Sequence, residues 1–194
     1  PAGRLREPLS GKSRADMVIV TKCPKDLTPM EFRVRTKAMN LYPYQELFFT
    51  TTEYGAFFPL FKEKEDEAPE LKGHNVLLLT GIASPEEMEN DIKIKCRSLK
   101  TMTFRDHHAF TPKDVEAIND AFERMESPKI IVTTEKDSTR LLQTELNATI
   151  KSAIYVLPIR VRFMLSQDEE LFNNKIISYV RKNSRNSILA KVKD

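Results

Sequence analysis

NVLLLTGIASPEEMENDI, residues 75–92, is the stretch on which the reading of the chain turns. Val76 to Thr80 runs apolar without alternation, the pattern of a strand buried on both faces. Gly81 follows. Ser84-Pro85-Glu86-Glu87 then carries the marks of a helix start, with Ser as N-cap and Pro at the first helical position.

The alternation continues downstream. A strand is expected near 99–104, and Thr111-Pro112-Lys113-Asp114 opens a helix whose Val115, Ile118, Ala121, Phe122 and Met125 share one face. KIIVTTEKD (129–137) reads as a buried strand with a polar turn, followed by a helix over STRLLQTEL. AIYVLPIRVRF (153–163) is a last strand, interrupted or ended by Pro158. Strand, helix, strand, helix, strand argues for a parallel α/β sheet covered on its faces, an α/β/α sandwich lobe.

Upstream, MVIV (17–20) is a short strand that must end by Pro24, and Thr28-Pro29-Met30-Glu31 starts a helix running to about Asn40. A further strand is expected around Glu46–Thr52. KEKEDEAPELKG (62–73) is a charged connector. The expected organisation is a partial α/β lobe over 1–61, a linker over 62–73 and a carboxyl-terminal lobe over 74–194. The last lobe ends in an amphipathic helix over 168–183 with Leu171, Ile176, Tyr179 and Val180 toward the core.

Of the 194 residues, 40% are apolar and 30% charged, and no apolar run approaches the roughly 20 residues that span a bilayer. Cys23 and Cys96 are too few for a disulfide framework or a zinc site and read as reduced thiols. The net charge of +3 is uneven: residues 1–40 hold nine Lys/Arg against four Asp/Glu, and residues 175–194 six against one. Basic ends around an acidic centre permit an anionic partner such as phosphate, a lipid head group or nucleic acid, or are simply solvated surfaces.

In open parallel sheets, functional loops follow the carboxyl ends of strands. Three polar clusters fall there, Thr80–Pro85, Arg105–His108 and Thr133–Asp137, and are expected to rim one site. Asp106-His107-His108 holds two of the three histidines. Metal binding would need further ligands at the right spacing, and a DHH-type metal phosphoesterase would need a series of upstream Asp motifs not found here. A carboxylate–imidazole pair serving a base or an anionic substrate is the third reading, and satisfaction of backbone groups at a strand–helix turn the fourth. Arg6 and Glu7 offer a guanidinium and a carboxylate in a turn, fit for phosphate or for a surface ion pair. The hydroxyls and Lys136 of Thr133–Asp137 could touch a ligand or cap the next helix, and capping is the favoured reading. No G-x-x-x-x-G-K-[ST] phosphate loop, G-x-S-x-G, H-E-x-x-H or CxxC occurs in these residues.

Taken together, the motifs resemble one family. P-A-G-R-L-R-E-P (1–8) with S-R-A-D-x-V-I-V-T-K (13–22), L-L-T-G-I-A-S-P (78–85), F-R-D-H-H-A-F-T-P-K-D (104–114), I-V-T-T-E-K-D-S-T-R-L (131–141) and I-Y-V-L-P-I (154–159) are similar, in order, to motifs of tetraacyldisaccharide 4'-kinase, the lipid A 4'-kinase of Gram-negative bacteria. The resemblance implies a P-loop kinase fold of two α/β/α lobes, of which this chain would be the carboxyl-terminal part without the phosphate-loop lobe. It implies transfer of the ATP γ-phosphoryl group, with Mg²⁺, to the 4'-hydroxyl of tetraacyldisaccharide 1-phosphate. The setting would be the cytoplasmic face of the inner membrane, with the lipid A disaccharide precursor, an anionic membrane surface and the amino-terminal lobe as partners and no nucleic acid. On that resemblance His107 is catalytic support held by Asp106, which can fix the loop through backbone N–H groups or accept from an imidazole N–H, and Arg6 and Glu7 lie on the substrate side. His108 is a weaker substrate-side candidate whose alternative is a structural role. Thr133–Asp137 stays structural, no metal ligand is expected, and the chain alone is expected to be inactive. The alternatives remain a lipid-phosphate or nucleotide-binding module without chemistry, and the DHH-type phosphoesterase.

Overall fold

The computed structural model describes residues 8–61 and 70–191. The chain divides into two units, one built from 1–53 and 161–194 and the other from the continuous stretch 54–160. This differs from the division expected at 62–73, most of which lies outside the described residues. The reason is local. Pro158 has no N–H to continue a ladder, so the strand expected over 153–163 is broken into β7 (Ile154–Leu157) and β8 (Ile159–Phe163). Each half then serves a different sheet.

The second unit is the α/β sandwich. Its elements are β3 (Phe58–Pro59), β4 (Asn75–Thr80), α2 (Glu86–Lys93), β5 (Ser98–Thr103), α3 (Pro112–Glu123), β6 (Lys129–Thr134), α4 (Glu135–Leu141), α5 (Ala148–Ala153) and β7. The sheet order is β3-β7-β6-β4-β5; β4 pairs parallel with β5 and β6, β6 pairs parallel with β7, and β3 adds antiparallel at the edge. All six residues of β4 are buried, as its unbroken apolar run requires of a central strand. Its side chains alternate between two cores. Leu77 and Leu79 join Ile131 with Ile118, Phe122, Leu141 and Ile150 from α3, α4 and α5. Val76 and Leu78 join Ile130 and Val132 with Met88 and Ile92 from α2.

Three local expectations are corrected. The residue before α2 is Pro85 rather than Ser84, and it makes no side-chain cap. The residues read as a polar turn at 135–137 are the first turn of α4, because Thr134 already caps there. The short helix α5, capped by Asn147, had no sequence counterpart.

The first unit holds a 3₁₀ turn (Leu9–Arg14), β1 (Met17–Val20), α1 (Pro29–Met39), β2 (Glu46–Tyr54), β8 and α6 (Asp168–Lys191). The sheet order is β1-β2-β8, with β1 and β2 parallel. α1 begins as read, in a capping box of Thr28 and Glu31. The apolar side of α6 is a further correction. Leu171, Ile176, Tyr179 and Val180 are all exposed, and it is Phe172 that packs, edge-on to Phe48 at 5.6 Å between centroids and against Phe163 at 5.3 Å.

Leu77 lies fully buried at the centre of the sheet. Leu77→Ala should therefore lower unfolding stability by about 2–5 kcal/mol in urea titrations, whereas Val161→Ala, at a largely exposed site, should change it by less than ~0.5 kcal/mol.

Candidate functional site at the strand ends

The three polar clusters after β4, β5 and β6 do meet, and Asp137 is where they meet. Thr134 at the end of β6 accepts from the Asp137 N–H at 3.2 Å and caps α4, while its hydroxyl donates to Asp137 Oδ2 at 2.7 Å. Asp137 Oδ2 also accepts from the Gly81 N–H at 2.9 Å, which fastens the turn after β4. Arg140, one turn along α4, donates to Asp137 Oδ1 at 3.4 Å. With only 5% of its side chain exposed, this carboxylate is held by donors from the end of β6, the loop after β4 and α4.

Gly81 is needed for the approach. A Cβ there would stand 2.9 Å from Asp137 Oδ1, closer than side-chain carbons tolerate, and 3.1 Å from the Arg105 carbonyl oxygen, close enough that the neighbour must give by a few tenths of an ångström.

The loop after β5 brings the acid and the two histidines. Asp106 accepts from Lys136 of α4, and that ammonium is the main reason its carboxyl is held below the usual range. His107 sits at φ 59°, in the left-handed region, and presents a largely exposed imidazole. Its Nδ1 lies 2.9 Å from Arg140 Nη2. Asp106, the expected holder of His107, comes only to 3.7 Å from Nε2, beyond hydrogen-bond length; its oxygen is taken by Lys136.

His108 faces the other way. Its Nε2–H donates to Asp114 Oδ2 at 3.0 Å, and its ring stacks on Phe104 at 5.2 Å and meets Phe110 edge-on. Asp114 in turn accepts from the Thr111 N–H at 2.8 Å and the Thr111 hydroxyl, completing the capping box of α3. His108 is therefore built into the cap of α3. Arg6 and Glu7 lie outside the described residues. Lys136 belongs to the Thr133–Asp137 cluster weighed in the sequence, whereas Arg140 is a site member that the sequence reading did not single out; its i, i+4 spacing from Lys136 astride Asp137 was the available signal.

Among the described residues no group of three or more His, Cys, Asp or Glu could hold a metal ion. An open apolar groove of about 670 Å³, lined by Leu27, Phe32, Leu47, Phe49 and Leu165, belongs to the first unit and carries none of these groups.

Comparison with known proteins gives one family. The family model described as tetraacyldisaccharide-1-P 4'-kinase matches residues 1–180. A tetraacyldisaccharide 4'-kinase of Phocaeicola vulgatus is 51% identical over 96% of this chain and 52% of its own length. One of Bacteroides fragilis is 43% identical over 100% of this chain and 53% of its own, and one of Flavobacterium johnsoniae 36% identical over 94% and 50%. A solved structure, titled as the "apo" form of LpxK from Aquifex aeolicus in complex with ATP, is 23% identical, covers 93% of this chain and 47% of its own, and aligns with a TM-score of 0.49. The chain spans about half the length of the curated relatives it matches.

Two outcomes test this geometry. Gly81→Ala must push the Asp137 carboxylate away and should cost about 1–3 kcal/mol in thermal or urea unfolding. The hydrogen bonds from Thr111 and then His108 lower Asp114 from 3.8 to about 2. Its contribution to stability is accordingly complete above about pH 4 and fades as the pH falls toward about 2. Asp114→Asn should flatten the acid limb of stability against pH in that window.

Proposed function

The chain belongs to the tetraacyldisaccharide-1-P 4'-kinase family, and on that premise we propose that it serves transfer of the ATP γ-phosphoryl group to the 4'-hydroxyl of a tetraacyldisaccharide 1-phosphate. The observation that carries the reading is the joining of the three strand-end loops by Asp137 and Arg140, which sets one exposed imidazole, His107, at the carboxyl edge of a parallel sheet.

His107 would act by orientation. An imidazole N–H at a strand end can hydrogen-bond a carboxylate base and keep it aimed at the sugar hydroxyl, a contribution of about 10²–10⁴ in rate. Lys136 fixes the adjacent Asp106, so the acid steadies the loop rather than the ring. His108 keeps α3 and the loop in register. Arg6 and Glu7 are proposed for the substrate side on the family motif.

The described residues do not by themselves form a nucleotide–magnesium site. The sequence contains no G-x-x-x-x-G-K-[ST] cradle for the phosphates, and the described residues hold no cluster of metal ligands. ATP and Mg²⁺ are proposed for the reaction from the family. No helix among the described residues is long and apolar enough to cross a membrane. Peripheral attachment at the cytoplasmic face of the inner membrane is proposed from the lipid substrate and the basic ends.

Two experiments decide the reading. The purified 194-residue chain should neither hydrolyse ATP nor phosphorylate the disaccharide; robust ATP-dependent phosphorylation by it would overturn this. In a chimera where this chain replaces the matching half of the Bacteroides fragilis relative, His107→Ala should lower kcat at least ~10-fold with unfolding unchanged, and His108→Ala should act mainly on stability. Full turnover by the His107 variant would sink the assignment.

A further inference from the structure

We propose that Arg140 is a positioning residue that locks His107 into one tautomer, with Nδ1 bare and the proton on Nε2. A guanidinium carries only donors and does not lose its proton in a protein. At 2.9 Å from Arg140 Nη2, the Nδ1 of His107 must therefore offer a lone pair. A neutral ring with a bare Nδ1 carries its proton on Nε2.

Arg140 is itself held. Its other nitrogen, Nη1, donates to Asp137 Oδ1, and Asp137 is anchored to the Gly81 N–H and the Thr134 hydroxyl. The guanidinium is mostly covered, with 23% of its side chain exposed, while the ring it meets is 78% exposed. A fixed, covered cation thus sets the protonation pattern of an open ring. Asp106 does not compete. A carboxylate accepting from Nδ1–H would impose the opposite tautomer, as in carboxylate–histidine pairs, but its oxygen is engaged by Lys136 and lies 3.7 Å from Nε2.

The consequence for chemistry is directional. His107 then carries Nε2–H on the side where Asp106 Oδ1 stands 3.7 Å away, a donor able to orient a carboxylate or a phosphoryl oxygen and unable to take a proton at that atom. The orienting role rests on the proposed function; the tautomer rests on the geometry alone.

The test reads the ring directly. The 194-residue chain is labelled with ¹⁵N-histidine, its three histidines are assigned with His107→Gln and His108→Gln, and long-range ¹⁵N–¹H correlations distinguish protonated from bare ring nitrogens. The expected result is a bare Nδ1 and a protonated Nε2 for His107. Arg140→Met should release the ring to a mixture of tautomers while the His108 signals, held by Asp114, stay put. Arg140→Lys keeps a cation beside Asp137 but lacks the fork that reaches both partners, so it should release the ring as well and guards against a misfolded Met variant. A protonated Nδ1 in the parent chain, or a spectrum unchanged in both variants, would overturn the proposal. Since no turnover is needed, this result stands or falls separately from the kinase reading.

Discussion

Much of the carboxyl edge of the second unit's sheet depends on satisfying one buried negative charge. Asp137 has almost no access to water, and an ionised carboxylate so placed is tolerable only with donors on its oxygens. The donors come from separate pieces of chain: the Thr134 hydroxyl, the Gly81 N–H and the Arg140 guanidinium. Gly81 can serve only because it has no Cβ, and Arg140 can reach on to His107 only because Asp137 fixes its other nitrogen. Removing the carboxylate would leave a turn, a helix start and an arginine without their common partner.

The two adjacent histidines show how backbone geometry divides like residues between unlike tasks. His107 adopts a left-handed φ, a conformation that costs a non-glycine residue on the order of 1 kcal/mol or more and persists only when its surroundings impose it. His108 then turns back between Phe104 and Phe110 onto the carboxylate of a helix cap. One ring becomes part of the scaffold and the other is left outside it, met by a guanidinium rather than a carboxylate.

The elements legible in the sequence were those with strong local causes. The unbroken run at β4, the Thr-Pro-x-acid starts of α1 and α3, and the break at Pro158 all stood where they were read. The convergence of three strand-end clusters was legible too, because parallel topology sends such loops to one edge. What could not be read was set by tertiary contacts. Which residue of α6 packs was decided by Phe48 and Phe163, residues distant in sequence, so Phe172 was missed in favour of neighbours that remain exposed. Likewise, Asp106 looked like the natural partner of His107 by adjacency, and only folding brings Lys136 and Arg140 in to re-pair both.

The placement of β8 beside β2 has a consequence for biosynthesis. The first unit is discontinuous, and β2 waits for a neighbour encoded about a hundred residues later. At ribosomal rates of roughly 5–20 residues per second, that is a delay of about 5–20 s during which one side of a nine-residue strand has no ladder partner from this chain. The second unit, drawn from the continuous stretch between them, receives its own last strand, β7, only just before β8 is made. An open strand edge of that length is a template for pairing with other nascent chains, so conditions that slow elongation between Tyr54 and Ile159 should raise the aggregated fraction even though they leave the finished protein unchanged.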